Sequence, residues 1–130
     1  MEELVSEKHF RLLRQRDDLK KEIAMNIKRI EYYSLKLEDL KDEKEDINRR
    51  IRWYKYGRLA DFIGGSGPLD LVEDTISEYF YKKRLEKYRA RRQEILKEMA
   101  NLCKKRKKKR KINALLKLEL VKVREELKNL

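Results

Sequence analysis

The sequence predicts an all-α fold, a long antiparallel two-helix coiled-coil hairpin. Three observations predict it. Glycine and proline number only four and one in 130 residues, and all fall between positions 57 and 68, too few breakers to punctuate many short strands. Charged residues make up 46% and hydrophobic ones 40%, the balance of long solvated helices. Apolar residues also recur at heptad spacing on both sides of the one break, which is the coiled-coil signature.

Arm one is expected over about 2–58. One series runs Val5, Leu12, Leu19, Asn26, Tyr33, Leu40, Ile47, Tyr54, and a second runs His9, Arg16, Ile23, Ile30, Leu37, Lys44, Ile51, Arg58. A period of 3.5 implies a left-handed supercoil. The turn is expected over about 59–68, centred on Gly64, Gly65, Ser66, Gly67 and Pro68. GGSG could be an inserted linker, but its smooth apolar flanks favour a natural turn. Gly57 or Gly64 can end arm one in the left-handed conformation. Lys55 and Arg58 suit the negative end of its dipole. Pro68 suits the first turn of arm two, followed by Asp70, Glu73 and Asp74 at the positive end.

Arm two is expected over about 69–130. Its seam runs from Tyr81 through Leu85, Tyr88, Arg92, Ile95, Met99, Leu102, Arg106, Lys109, Asn113, Leu116, Leu120 and Val123 to Leu127 and Leu130. Steps alternate four and three. An offset phase upstream implies a stutter near Phe80. A short Gly-rich link forces the arms antiparallel. Folding about residue 66 sets Val5 against Leu127, Leu12 against Leu120 and Asn26 against Arg106. That last layer would also hold Lys109, and two cations are too many for a dry seam. Splaying, hydration or a break at 104–111 is therefore expected, a break giving three helices. The hairpin would be about 85 Å long.

The open end carries more apolar residues than one seam needs. Phe10, Leu13, Leu115, Leu118 and Val121 lie off the stripe. Exposed apolar patches mark interfaces, so a homodimer is expected there, forming a four-helix bundle.

Charge narrows the function. Lys and Arg total 36 against 24 Asp and Glu, net +12. Residues 80–130 alone hold 20 cations and 6 carboxylates, so the excess is local. Its centre is eight consecutive cations, from Lys104 and Lys105 through Arg106, Lys107, Lys108 and Lys109 to Arg110 and Lys111. Arg89 and Arg91 extend the basic surface. Like charges spaced i,i+4 oppose a helix, and a polyanion would relieve them with release of counterions. The expected function is non-specific, salt-sensitive nucleic-acid binding (DNA or RNA) through arm two, since no base-reading motif is present. An anionic membrane surface is a minor variant of that reading. The bland reading is a solvated charge run.

The alternative is a protein–protein scaffold or adaptor with no nucleic-acid role. It would use an aromatic cluster, Trp53, Tyr56, Phe62 and Phe80, together with the apolar open end; the bland reading of that cluster is an end-cap core. Trp and Tyr dominate interface energetics.

An enzyme is not expected. The one His, His9, falls on the seam. The one Cys, Cys103, has no general base and reads as a buried small hydrophobe. With one of each there is no metal cage, and no cofactor is expected. GGSGP lacks the ending of a phosphate-binding loop. No run of 18 apolar residues spans a membrane. The acidic start reads as no signal peptide, and a cytoplasmic location is expected.

Overall fold

The computed structural model describes residues 4–64 and 68–130, with side-chain surroundings for 4–55 and 78–130. Two helices form, α1 over Val5–Gly64 and α2 over Pro68–Lys128. They pack against each other, and no strand occurs among the described residues.

The helix ends follow backbone chemistry. Pro68 opens α2, where its missing N–H costs nothing and its fixed φ is already helical. Gly57 does not end α1; the helix passes through it to Gly64. A single interior glycine costs only about 1 kcal/mol, and the segment that follows it contains no proline. Lys55 and Arg58 therefore lie short of the last turn, which holds no cation. Asp70, Glu73 and Asp74 follow Pro68 directly, but their side chains lie outside the described residues. α2 runs unbroken through 104–111, so of the splaying, hydration or break expected there, the break does not occur.

The chain divides into two compact units, each pairing a stretch of α1 with a stretch of α2. The first comprises Met1–Lys36 and Leu102–Leu130, the second Leu37–Asn101.

In the first unit the core is Leu12, Leu19, Ile23, Leu120 and Val123, with Leu116 and Leu127 packed against it. Val5 stands exposed outside this cluster. One polar layer crosses the seam. Asn26 Nδ2 donates to Asn113 Oδ1 at 2.9 Å, and Asn113 Nδ2 donates to the Ile23 carbonyl at 3.3 Å. Both asparagines are buried. Arg106, the residue expected opposite Asn26, instead donates to Ser34 Oγ at 3.3 Å. The strands of the pair are thus antiparallel but shifted by one heptad from a fold about residue 66. A heptad shift keeps every seam position facing a seam position, so apolar matching does not oppose it. Polarity decides between the registers. The observed one joins two neutral amides by a hydrogen bond, with the second amide donating to a backbone carbonyl, whereas the expected one would bury a guanidinium against an amide. Arg106 and Lys109 remain half-buried, with their charged ends able to reach water.

The second unit has the same antiparallel pairing. Its buried residues are Leu37, Leu40, Ile47, Ile51, Tyr54, Leu85 and Ile95. Tyr54 packs its ring against Tyr81 at 5.4 Å and Tyr88 at 5.8 Å. Its hydroxyl accepts from Arg84 Nη1 at 2.7 Å. Arg92 donates to Asn48 Oδ1 at 3.3 Å. Tyr54 beside Arg84 and Asn48 beside Arg92 show the same offset as the first unit.

Candidate nucleic-acid interface

The basic tract belongs to the first unit. No acidic residue lies on α2 between Glu98 and Glu119, about 30 Å of helix. Within it the heptad sorts the cations. Arg106 and Lys109 take seam positions and are half-buried, while Lys104, Lys105, Lys107, Lys108, Arg110 and Lys111 are exposed. Among the described residues, no carboxylate forms an ion pair with these six.

The neighbouring stretch of α1 adds to this charge. The Asn26–Asn113 and Ser34–Arg106 bonds bracket it. Between them α1 carries Lys28 and Arg29, both exposed, against the single carboxylate Glu31. Sequence reasoning did not single out Lys28 and Arg29, which lie in an arm whose charges nearly balance. Tyr32, also on this stretch, is exposed and holds Lys36 Nζ over its ring at 5.3 Å. Such a surface can engage phosphates by charge. It offers no constellation for reading base edges.

Cys103, expected as a buried small hydrophobe, is exposed. It sits one residue beyond the seam position Leu102, which turns it off the interface. His9 is also exposed.

The two arginines expected to extend the basic surface lie in the second unit and differ. Arg89 is exposed. Arg91 is engaged by carboxylates. Its Nε and Nη2 donate to Glu43 Oε1 and Oε2 at 2.8 and 3.1 Å, and Nη1 lies 3.2 Å from Glu94 and 3.7 Å from Glu98. The hydrogen bonds from Arg91 hold the Glu43 carboxyl below its ordinary value, against an opposing effect of desolvation and with help from the Arg91 charge. Arg91 therefore ties the two helices together, and its charge is matched within the protein. The same guanidinium is pushed above its ordinary value, chiefly by the Glu43 bond and then by Glu94.

Of the aromatic cluster, Trp53 and Phe80 are exposed in the second unit. Tyr56 and Phe62 lie outside the described side chains. Trp53 and Phe80 share a groove with Tyr54, Tyr81 and Arg84.

The residues expected at a dimer interface fall in the first unit. Phe10, Leu115, Leu118 and Val121 are exposed and Leu13 is half-buried. On α2 the seam runs through Asn113, Leu116, Leu120 and Val123, so Leu115, Leu118 and Val121 occupy the outer face. Among the described residues no cluster of His, Cys, Asp and Glu could hold a metal, and no helix is long and apolar enough to cross a membrane.

Comparison with family models, with curated proteins and with solved structures returns no match. The functional reading therefore rests on the chemistry of these surfaces.

Proposed function

We propose that the protein is a non-enzymatic coiled-coil protein that binds nucleic acid non-specifically through the basic tract of α2. The observation that carries this is the set of six exposed cations, Lys104 to Lys111 without Arg106 and Lys109, on a helical stretch free of carboxylates. Their mutual repulsion is unrelieved within the protein and falls when phosphates displace counterions. Lys28 and Arg29 belong to the same surface, and Arg89 is a separate exposed cation of the second unit. Arg91 is not part of it.

The experiment replaces Lys104, Lys107, Lys108 and Lys111 by Gln and measures affinity for a random-sequence duplex at low salt. The variant should bind at least tenfold more weakly with its helical circular dichroism intact. Equal affinity would remove the tract from the function.

The protein is further proposed to act as a homodimer, two copies joining through Phe10, Leu13, Leu115, Leu118 and Val121 into a four-helix bundle. The outer face of α2 is otherwise left apolar and wet, unlike an ordinary surface helix. The same exposed face favours the competing reading, a protein–protein adaptor without nucleic acid. Retention of a specific protein partner by a chain that shows no duplex binding at low salt would decide for it.

A further inference from the structure

We infer that the aromatic groove of the second unit is a stacking site for the unpaired bases of a single-stranded nucleic acid. This goes beyond the duplex-binding tract and stands on different residues, in the other unit.

The groove holds about 270 Å³ and is lined by Trp53, Tyr54, Phe80, Tyr81 and Arg84. That is below the range for drug-sized ligands and suits a single flat ring system. Trp53 is 66% exposed and Phe80 59%. Exposure of that size on two aromatic side chains is not needed to close the core, against which Tyr54 and Tyr81 already pack. Trp53 meets Tyr54 edge-on, with centroids 5.2 Å apart and planes at 83°, so its ring does not stack on that neighbour. Arg84 lies at the wall, its Nη1 fixed 2.7 Å from the Tyr54 hydroxyl.

The surroundings are cationic. Residues 49–55 and 78–89 carry nine Lys and Arg against two carboxylates, Glu78 and Glu86. Three of the nine have local partners, Arg50 on Asp46, Lys83 over the Tyr79 ring at 4.9 Å and Arg84 on the Tyr54 hydroxyl. An occupant must therefore combine π faces with dense negative charge. Single-stranded nucleic acid does both, and base–aromatic stacking with a cationic groove is its general mode of recognition. A duplex hides its base faces in the stack. An anionic bilayer also attracts cations and aromatic rings, but it meets aromatics that project, and Trp53 and Phe80 line a recess.

Trp53 is the only tryptophan in the chain, beside seven tyrosines, so emission excited selectively in tryptophan reports on this side chain. The test titrates the full chain with oligo(dT) and oligo(U). Parallel titrations use a duplex of equal phosphate concentration, inorganic polyphosphate and phosphatidylserine vesicles. Saturable quenching by the single strands, absent with duplex and polyphosphate, is expected. Phe80→Ala should weaken it about fivefold or more, and Phe80→Tyr, which keeps the ring, should restore it. The quenching should persist in the Lys104, Lys107, Lys108, Lys111 glutamine variant. No quenching by single strands while duplex binding elsewhere on the chain survives would overturn this inference and leave the basic-tract reading intact. Equal quenching by polyphosphate would reduce the groove to simple charge. A blue shift with vesicles alone would assign it to a membrane surface.

Discussion

At the residue scale, Asn26 and Asn113 set the register. Each is buried; Asn26 donates to Asn113, and Asn113 donates to the Ile23 carbonyl. Asn26→Leu or Asn113→Leu alone strands one amide in the seam, and such a loss costs about 1–3 kcal/mol. The double replacement removes both partners and should recover that loss or exceed it. Urea denaturation of the four proteins checks this as a cycle; additive single effects would show that the pair is not coupled. The same double replacement should loosen the specificity of pairing, because polar seam residues fix register at a cost in stability.

The Glu43–Arg91 contact gives a pH dependence at this scale. Glu43 is held below the ordinary carboxylate value by the hydrogen bonds from Arg91. Its contribution is therefore complete above the unfolded carboxylate range, and it fades as pH falls through the lower folded value. Thermal midpoints measured from pH 6 down to pH 3 should drop more steeply for the native chain than for Glu43→Gln. Parallel curves would mean the contact adds nothing, as many exposed ion pairs do.

At the element scale, the heptad pattern was readable and the register was not. From Leu12 to Tyr54 on α1 and from Tyr81 to Leu127 on α2, every seam position in the described residues is buried or half-buried. Periodicity reports which face is covered, since burial follows the helix repeat. It does not report which heptad lies opposite which. Arg91 reaches Glu43, two residues from the Lys41 that a fold about residue 66 sets opposite it, so that contact does not depend on the heptad shift. The Asn26–Asn113 pair does depend on it, and was for that reason invisible in the sequence. The exposed cations of the tract were readable directly, because eight in a row cannot all fit a seam. The length of α1 was not, because Gly57 looks like a stop when read alone.

The continuity of α2 through 104–111 has its own consequence. Lys104 and Lys108, and Lys107 and Lys111, are like-charge pairs at i,i+4, each opposing the helix by about 0.2–0.5 kcal/mol. Replacing these four by Gln should raise the thermal midpoint at low salt. The difference should shrink at 1 M salt, where the screening length is about 3 Å. An unchanged midpoint at low salt would show that the tract carries no strain for a ligand to relieve.

At the scale of the whole molecule, the net +12 is unevenly placed, and the first unit, which holds the basic tract, also leaves Phe10, Leu115, Leu118 and Val121 exposed. The proposed dimer joins these features, since two copies would double the number of phosphate contacts without lengthening the chain. Leu115→Glu with Leu118→Glu should leave helix content unchanged and convert a species of twice 16.0 kDa to one of 16.0 kDa in light scattering. A native chain already at the lower mass at high concentration would remove the dimer.

Salt dependence tests the central claim most directly, because counterion release ties affinity to the number of phosphates engaged. Binding of the full chain to a labelled random-sequence duplex, followed by anisotropy between 50 and 200 mM salt, should give a plot of log K against log salt with a slope of about −4 to −5, the value for roughly five phosphate contacts. A slope near zero, or no binding at 50 mM, would contradict the account.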